Sequence, residues 1–362
     1  MSKRRSSLII VYNSLDLGGI ETKILNICQS LSSQYSIILA LKNPTGQLLK
    51  KIPPSVIIKH PSLSSPVLFP FWLAKLFFFT KPKLILGFSN FCAISSVIAR
   101  IISLQKKSRL IISEDSSIIE QIQSDSYPQI RKRLVQITYP LANQIVVLTA
   151  VGKNKLISLN PQLASKINLC PNWLPLDFPH PSRIYTKTID LLFLGRFDQA
   201  KNPLEFIDIS HQLISTNPNL KIAMIGHGPM LPQIKKLISR YKLSPQNFSL
   251  LSSTNLNYHF FQKAKIFLLP SIREGFPLTI LEATASHCLP LCRSLPELQI
   301  FFSQHHQLLF SNQAQAITKI NYLLKNPLVT AKLSNFYFQK TTQSQAKNLN
   351  LTLKLIQRYL TV

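Results

Sequence analysis

The stretch FLLPSIREGFPLTILEATASHCLP, residues 267–290, decides the fold class of this chain. It begins inside an apolar run that predicts a short buried strand, and a loop follows. We predict that a helix begins at Pro277, because proline is tolerated at the first helical position. Glu274 then lies on the strand-to-helix loop and Glu282 inside the helix. Both carboxylates can point into the crevice at the carboxyl end of a parallel strand, where open α/β sheets bind ligands.

The chain is long and strongly basic. Its 362 residues suggest two domains, since single hydrophobic cores stop growing near roughly 250–300 residues. Lysine and arginine total 41 against 14 acids, and the net charge is +27. A field of this sign attracts polyanions such as nucleotide diphosphates, anionic membrane surfaces or nucleic acid. Because acids are scarce, Glu274 and Glu282 indicate a site. The alternative is an acid at a helix start, where acids are favoured, and another on a surface helix.

Apolar runs alternate with helical patterns along the whole chain. The predicted strands are 8–11, 37–41, 56–58, 84–86, 110–112, 145–148, 167–169, 190–194, 221–225, 248–251, 266–269, 289–292 and 308–310. Because the runs are continuous, we expect sheets buried on both faces, as in doubly wound α/β domains. The proline-rich segment 171–187 predicts a linker, and the tail from Leu328 to Tyr359 predicts a helix.

Glycine turns follow two of the predicted strands. Gly18-Gly19 separates a strand from a well-patterned helix, where glycine lets the backbone approach a phosphate and free helix N–H groups point at it. The alternative is a plain turn. The three-glycine dinucleotide fingerprint is absent, which disfavours a nicotinamide cofactor. Gly226 and Gly228 form the second turn, which we interpret as shaping the surrounding loop.

Two cations follow the first predicted strand of the second domain. Gly195-Arg196 ends the strand, and Lys201 precedes a helix that we expect to start at Pro203. Arg196 and Lys201 can converge on one anion near that helix end. The alternative is that they are two surface cations of a basic protein.

Cysteine use and the N-terminus indicate a reducing compartment. The chain has five cysteines, an odd number, and no CxxC motif occurs. We therefore expect neither a disulfide framework nor a zinc site. The apolar run near the N-terminus has only four residues, too few for a secretory signal. These features predict a cytoplasmic protein.

The segment 67–79, VLFPFWLAKLFFF, is the strongest candidate for a membrane contact. It is too short to span a bilayer and is interrupted by Pro70 and Lys75. One interpretation is a buried helix leading to the strand 84–86. The other is an interfacial helix with an aromatic face, flanked by Lys75, Lys81 and Lys83.

A family resemblance rests on these motifs together. The residues that carry it are Gly18-Gly19 with Glu21, Gly195-Arg196, Lys201-Asn202, Gly226-His227-Gly228-Pro229, Glu274-Gly275-Phe276-Pro277 and Glu282. This pattern resembles the family 4 retaining glycosyltransferases, which have the GT-B fold. The resemblance implies two Rossmann-like domains facing a central cleft, 1–175 for the acceptor and 176–345 for the donor. It also implies that the helix 346–362 crosses back onto the first domain.

The resemblance also implies roles for individual residues. Glu274 would contact the transferred sugar and Glu282 would hold the nucleotide ribose. Arg196 and Lys201 would grip the departing diphosphate. The other implied donor-binding residues are Gly18, Gly19, Gly195, Gly275, Phe276, Pro277 and Leu278. No metal is expected, since the cations take its role, and the nucleotide sugar is a co-substrate, so no further cofactor is expected.

Two places remain open within this resemblance. Glu114 and Asp115 follow the predicted strand 110–112, and relatives often place a polar residue there that faces the acceptor or sugar. Acceptor contact and loop capping are the alternatives. His287 stands where relatives usually have glycine, so its side chain either narrows the pocket or ends the helix differently.

We therefore expect retaining transfer of a sugar from a nucleotide sugar, most simply a UDP-sugar, to a hydroxyl. The expected acceptor is a membrane-associated glycolipid or cell-surface polysaccharide precursor, with peripheral contact at the inner face of an anionic membrane. The alternatives are a nucleotide-sugar-binding protein without turnover, and a nucleic-acid-binding protein. No nucleic-acid motif appears, so we expect no specific nucleic-acid partner. A sugar epimerase or phosphorylase on a related fold is a further enzymatic alternative.

Overall fold

The computed structural model describes residues 7–16, 18–179, 185–252 and 258–361. The chain divides into two compact units. The first comprises residues 1–175 and 348–362, and the second comprises residues 176–347. Residues 180–184 of the predicted linker lie outside the described residues.

The first unit is built on a seven-stranded sheet. Its strands are β1 (Ser7–Tyr12), β2 (Ser36–Leu41), β3 (Ile57–Lys59), β4 (Leu84–Phe88), β5 (Arg109–Glu114), β6 (Gln144–Val147) and β7 (Ile167–Leu169). They lie in the order β3-β2-β1-β4-β5-β6-β7, and every neighbouring pair is parallel. The strand order reverses between β1 and β4, which is the switch point of this sheet.

Among the described residues, six helices connect the strands of the first unit. They are α1 (Gly19–Leu31), α2 (Phe69–Thr80), α3 (Asn90–Ile102), α4 (Ile118–Gln123), α5 (Pro128–Thr138) and α6 (Ala150–Leu159). Short 3₁₀ helices lie at Gln47–Lys51, Tyr139–Leu141 and Pro161–Lys166.

The second unit repeats the architecture with six parallel strands. They are β8 (Ile189–Leu194), β9 (Ile222–Gly226), β10 (Phe248–Ser252), β11 (Ala264–Leu269), β12 (Leu289–Arg293) and β13 (Leu309–Phe310). Their order is β10-β9-β8-β11-β12-β13. The switch point lies between β8 and β11, which pair in parallel. Ligands of open α/β sheets bind at the carboxyl ends of strands that flank such a point.

The remaining helices belong to the second unit or span both. They are α7 (Pro203–Thr216), α8 (Leu231–Arg240), α9 (His259–Lys263), α10 (Leu278–Ala285), α11 (Pro296–Gln299), α12 (Gln313–Lys325) and α13 (Pro327–Thr361). The 3₁₀ helices of this unit are Gln199–Lys201 and His306–Leu308. Helix α13 packs Leu333 and Tyr337 into the core of the second unit. Further along it packs Ile356 and Leu360 into the first.

Both faces of the central strands of the first sheet are buried, as continuous apolar strands require, whereas the edge strand β3 is exposed. Ile9 and Val11 of β1 face a core shared with helices α2 to α6. Leu8 and Ile10 face the opposite core, which α1 and the end of α13 cover. Alternate residues of one strand thus supply two cores.

The structure confirms the predicted α/β fold with two doubly wound sheets, and a strand is present at each predicted run. The predicted helix from Leu328 to Tyr359 is also present, within α13. The predicted start of α10 was wrong by one residue. Pro277 has an extended ψ of 131° and is the N-cap, so the helix begins at Leu278.

Candidate active site

The candidate site lies at the switch point of the second sheet. The loop after β8 carries Arg196 and Lys201, and the loop after β11 carries Glu274. The backbone N–H of Ile272 donates to the carbonyl of Ala200 at 2.9 Å. This bond ties the two loops together, because β8 and β11 are adjacent strands that end at the same edge.

Lys201 and Glu274 form an ion pair across the two loops. The Lys201 Nζ lies 2.6 Å from Glu274 Oε1, with 22% and 10% of the two side chains exposed. The predicted helix start at Pro203 is present, and Asn202 before it takes a left-handed conformation with φ 50°. Asparagine tolerates this conformation, so the Lys-Asn-Pro sequence lets the loop turn sharply into α7.

Arg196 lies on the same loop and has a carboxylate partner of its own. Its Nε is 3.2 Å from Asp198 Oδ2, and 54% of the arginine side chain is exposed. Asp198 Oδ1 accepts from the backbone N–H of Lys201 at 3.1 Å. Asp198 thus holds the loop that carries both cations. Asp198 was not predicted from the sequence, although its place as an N-cap before residues 199–201 was a usable signal.

Glu282 is a buried carboxylate on α10. It is 3% exposed, and its Oε2 accepts no hydrogen bond from the residues that the structure describes. Burial raises the pKa of Glu282 to about 8, Lys201 opposes this rise and Asp177 adds to it. The buried Ser271 Oγ and Thr279 Oγ1 likewise have no partner among the described residues. Buried polar atoms without partners are rare, so these atoms have unused capacity for a ligand.

The rest of the glutamate motif shapes this site. Gly275 and Phe276 are half-buried, and Leu278 is buried at the start of α10. The Phe276 ring packs edge-on against Phe301 with centroids 5.3 Å apart. This contact fixes the loop between Glu274 and α10.

Gly226 and Gly228 lie directly against the loop that carries Arg196 and Lys201. Both have a positive φ, 157° and 152°. A Cβ on Gly226 would lie 1.8 Å from the Gly195 carbonyl oxygen, and one on Gly228 would lie 2.5 Å from the Phe197 carbonyl oxygen. Only glycine allows this close approach. The half-buried His227 lies between them and accepts at its carbonyl from the N–H of Phe197 at 2.7 Å.

A second ion pair, which was not predicted from the sequence, joins the end of β12 to the start of α7. Arg293, at the end of β12, pairs with Glu205 in the first turn of α7. The same Glu205 oxygen accepts from the Asn202 side chain. The Arg293 Nε also donates to the carbonyl of Pro270 at 3.1 Å. These contacts fix both loops of the site from one side. A basic residue at a strand end was the only sequence signal.

In the first unit, Gly18 and Gly19 lie where they were predicted, at the start of α1. The Glu21 carboxylate lies directly against Gly18, because a Cβ there would be 2.3 Å from Glu21 Oε2. Tyr12 OH donates to Glu21 Oε1 at 3.1 Å. The group next to the Gly-Gly turn is therefore a buried carboxylate at the positive end of a helix.

Asp115 is bound by a buried lysine. Lys23 of α1 forms an ion pair with Asp115 and donates to Ser113 Oγ at 3.2 Å. The Lys23 Nζ also lies 5.9 Å and 5.7 Å from the ring centroids of Phe88 and Trp173. Ser113 Oγ donates to Asp115 Oδ2 at 2.8 Å. This network links α1 to the carboxyl end of β5, and Lys23 was not recognised from the sequence.

Glu114 is also buried and hydrogen-bonded. Tyr139 OH donates to Glu114 Oε2 at 2.6 Å, and Ser116 Oγ donates to Oε1 at 2.6 Å. Burial raises the pKa of Glu114 to about 7, although these two hydrogen bonds oppose the rise. Both residues predicted for the acceptor side thus lie at the carboxyl edge of the first sheet, with partners inside the first unit.

His287 ends α10. Its φ of 52° is left-handed, and its N–H donates to the carbonyl of Thr284 at 3.1 Å. The imidazole stacks on Phe338 of α13 with centroids 4.0 Å apart and an angle of 18°. A helix C-terminus in this conformation favours glycine. This geometry is that of the second alternative, in which His287 ends the helix.

The five cysteines are buried free thiols. Within the described ranges, no three His, Cys, Asp or Glu side chains cluster closely enough to hold a metal ion. No described helix combines the length and the apolar character that crossing a bilayer requires.

Comparison with known proteins agrees with this fold. Residues 177–340 match the family described as Glycosyl transferases group 1. An uncharacterized glycosyltransferase of Methanocaldococcus jannaschii is 21% identical over 249 residues, which cover 63% of this chain and 61% of that protein. The Campylobacter jejuni enzyme named N-acetylgalactosamine-N,N'-diacetylbacillosaminyl-diphospho-undecaprenol 4-alpha-N-acetylgalactosaminyltransferase is 24% identical over 304 residues, 78% of this chain and 79% of that protein. The chain therefore spans about three fifths of the first relative and four fifths of the second.

A solved structure shares the whole fold. HepE from Anabaena, crystallised with UDP-glucose, has a TM-score of 0.79 at 13% identity, over 97% of this chain and 99% of that one. The chain has the GT-B fold, and its match to the glycosyl transferases of group 1 falls within the second unit. The class to which the sequence motifs pointed is confirmed, and assignment to family 4 is consistent with these matches.

Proposed function

We propose that the protein transfers a sugar from a nucleotide sugar, a UDP-sugar, to a hydroxyl with retention of configuration at the sugar carbon. The observation that carries the proposal is the ion pair of Lys201 and Glu274 at the switch point of the second sheet. It lies beside the buried carboxylate of Glu282, whose Oε2 has no partner among the described residues.

The proposed chemistry needs positive charge at the leaving group. The bond between the sugar carbon and the phosphate oxygen breaks, and its electron pair stays on the diphosphate. A bond forms from the acceptor oxygen to the same carbon, and the hydroxyl proton goes to the departing phosphate or to water. Lys201 and Arg196 stabilise the growing charge on the diphosphate. Glu274 orients the sugar and stabilises its cation-like transition state.

In this proposal the remaining motif residues bind the nucleotide sugar. Glu282 accepts from the ribose hydroxyls, because its free oxygen is an acceptor without a described donor. Gly195, Gly275, Phe276, Pro277 and Leu278 surround the donor in the second unit. Gly18 and Gly19 supply backbone donors in the first. The structure of HepE with UDP-glucose supports uridine as the base, since the fold is shared.

For the acceptor we propose a sugar linked through diphosphate to a membrane lipid. The Campylobacter relative is named for a diphospho-undecaprenol acceptor, and the +27 charge favours an anionic substrate. Glu114 and Asp115 are the acceptor-side residues of this proposal, with Glu114 able to exchange a proton near neutral pH. The protein would then work at the cytoplasmic face of an anionic membrane. No specific nucleic-acid partner is part of this proposal.

We further propose that transfer needs no metal ion. Lys201 and Arg196 would replace the divalent cation that many nucleotide-sugar enzymes place on the diphosphate. Turnover in the presence of a chelator measures this directly, and activity that requires added Mg²⁺ or Mn²⁺ would contradict it.

The test starts with a panel of nucleotide sugars in a thermal-shift assay, since at equal concentration a ligand that binds more tightly raises the unfolding temperature further. Turnover is then measured with the best donor and a lipid-diphosphate sugar. We expect Glu274→Gln and Lys201→Met to lower kcat by about 10²–10³-fold. The matched control is Lys265→Met, because Lys265 forms a 2.7 Å ion pair with Asp190 in the same unit but at the opposite strand end.

Wild-type turnover in both Glu274→Gln and Lys201→Met would contradict the proposal. Donor binding without any product, in the wild type and with several acceptors, would instead favour the nucleotide-sugar-binding protein without turnover. Tight oligonucleotide binding with steep salt dependence and no donor binding would favour the nucleic-acid alternative.

A further inference from the structure

Helix α2 of the first unit has two apolar faces rather than one. Its inner face, with Leu73 and Phe77, is buried in the core of the first unit. On its outer side Phe71, Phe78 and Phe79 are 57%, 55% and 71% exposed. The positions 71, 75, 78 and 79 fall on one side of a helix, so these rings form a continuous stripe with a lysine in it.

The exposure of this helix is unusual within the molecule. Among the described residues, the first unit has 17 exposed large apolar residues and the second unit has 6. All three exposed phenylalanines among the described residues lie on α2. Leu63, Val67 and Leu68, in the segment just before the helix, are exposed as well. A cluster of this kind marks an interaction surface, whereas single exposed apolar residues do not.

The chain segment that contains the stripe carries charge of one sign. No aspartate or glutamate occurs between residues 22 and 113, while lysine and arginine occur 12 times. Lys23 is buried in its ion pair with Asp115, and the other eleven are Lys42, Lys50, Lys51, Lys59, Lys75, Lys81, Lys83, Arg100, Lys106, Lys107 and Arg109. The partner of this surface must therefore combine apolar and anionic character.

Further apolar and basic residues lie beside the end of α2. Helix α3 packs against α2 and ends in exposed Ile101 and Ile102, followed by exposed Leu104. The backbone N–H of Arg109 donates to the carbonyl of Lys83 at 2.9 Å, so the basic segments before β4 and β5 are neighbours. The surface thus extends from the outer face of α2 to the amino edge of the first sheet.

We propose that the outer face of α2 docks on an anionic lipid bilayer, with its phenylalanines among the acyl chains and its lysines at the acidic headgroups. Interfacial helices have this combination of aromatic and basic side chains. Lysine side chains reach headgroups while their stems lie along apolar surface. Each basic residue near an anionic surface adds to the attraction, so the basic run from 22 to 113 fits this partner.

The location of α2 connects this surface to the acceptor side. Phe69 in the first turn of α2 stacks on Phe91 with centroids 5.9 Å apart. The neighbouring Asn90 donates to Tyr139 OH at 3.1 Å, and Tyr139 donates to Glu114. The stripe therefore begins at the edge of the first sheet that holds the acceptor-side carboxylates. The inference rests on the proposed function in one respect only: the proposed lipid-linked acceptor is what requires the protein to be at a membrane.

The test is flotation of the full chain with vesicles of phosphatidylcholine alone and of phosphatidylcholine mixed with phosphatidylglycerol. We expect binding to the mixed vesicles that weakens at high salt. The variant Phe71→Gln/Phe78→Gln/Phe79→Gln should bind at least about tenfold less. Its matched control removes exposed apolar residues of the second unit, Ile300→Gln/Tyr322→Gln/Leu328→Gln, and should bind like the wild type.

A charge variant tests the lysines separately. Lys75→Gln/Lys81→Gln should weaken binding by about fivefold for each charge removed. The control Lys236→Gln/Lys325→Gln removes the same charge from the second unit and should have a smaller effect. Circular dichroism and thermal unfolding check that each variant is folded.

Tryptophan fluorescence gives a second readout that needs no variant. The chain has two tryptophans, the half-buried Trp72 on α2 and the buried Trp173. Quenching by brominated acyl chains should therefore report Trp72 at the bilayer. Vesicle binding without such quenching would overturn the proposal.

Further outcomes also test the proposal that α2 docks on a membrane. Equal vesicle binding by the phenylalanine variant and the wild type would overturn it, and so would dimers or oligonucleotide complexes that the same variant abolishes without any vesicle binding. Donor turnover on a water-soluble acceptor should be unchanged in the α2 variants. A failure of membrane docking is thus distinguishable from a failure of the proposed function.

Discussion

The two units place charged side chains at the same edge of the same kind of sheet, but they use them differently. In the first unit Lys23 and Asp115 are buried and bound to each other and to Ser113. In the second unit Lys201 and Glu274 are partly exposed on two loops, and an oxygen of buried Glu282 has no described partner. A satisfied network holds a fold together, whereas unsatisfied groups have capacity left for a ligand. Topology alone does not separate these cases.

The outer surfaces of the two units differ as well. The exposed large apolar residues concentrate in the first unit, and the exposed phenylalanines of the described chain lie on one helix of it. We infer a division of work, with donor chemistry in the second unit and membrane contact in the first. Each of the following predictions tests one side of this contrast.

The largest expected effect is on stability, in the first unit. Lys23→Met leaves the buried Asp115 carboxylate without its cation, which should lower the free energy of unfolding by about 3–5 kcal/mol. Urea unfolding measures this. Lys265→Met is the matched control, because its pair with Asp190 leaves 44% of the lysine side chain exposed. It should cost about 0–1 kcal/mol. Equal costs in the two variants would show that the first-unit network is not the structural one.

The next prediction concerns pH and compares Glu282 with Glu114. Burial raises the pKa of Glu282 to about 8 and that of Glu114 to about 7, from an ordinary value of 4.5. The folded protein therefore keeps protons that the unfolded chain releases. The contribution of these two groups to stability is greatest at low pH and falls as pH rises from about 5 toward these values, by about 1.4 kcal/mol per pH unit for each group.

Replacing each carboxyl by a neutral amide should remove its share of this slope. Glu282→Gln should flatten the stability profile up to about pH 8, and Glu114→Gln only up to about pH 7. Unfolding in denaturant across this pH range measures both profiles. Only Glu282→Gln should also weaken nucleotide binding. Unchanged profiles in both variants would contradict the assigned burial effects.

The smallest expected effect is at the helix end of the second unit. His287→Gly removes left-handed strain of about 1–2 kcal/mol but also loses a ring contact worth about 0.5–1.5 kcal/mol. The two terms nearly cancel, so stability should change by less than about 1 kcal/mol. His287→Ala loses the contact and keeps the strain, and it should be the less stable variant in thermal unfolding. The reverse order would contradict the helix-end role.

Much of the fold was predictable because its signals are local. Continuous apolar runs marked every strand, and Pro203 marked a helix start within the loop that carries Lys201. The motif around Glu274 and Glu282 indicated the strand-loop-helix unit that the structure contains. The placement of Lys201 beside Glu274 followed from two adjacent strands that end at one edge.

The missed residues depend on partners far away in the sequence. Lys23 reads as a surface cation of a basic chain, and only Asp115, 92 positions later, explains its burial. Arg293 likewise pairs with Glu205 across 88 positions. For the segment 67–79 the sequence offered a buried helix or an interfacial one. The structure buries one face of α2 and leaves the other exposed, a distribution that needs knowledge of the packing.

A crystal structure with the nucleoside diphosphate that gives the largest thermal shift tests the central claim most directly. We predict that the phosphates contact Lys201 and Arg196, and that a ribose hydroxyl lies within hydrogen-bond distance of Glu282. A nucleotide bound at another edge of the second sheet, with the pair of Lys201 and Glu274 untouched, would contradict the account.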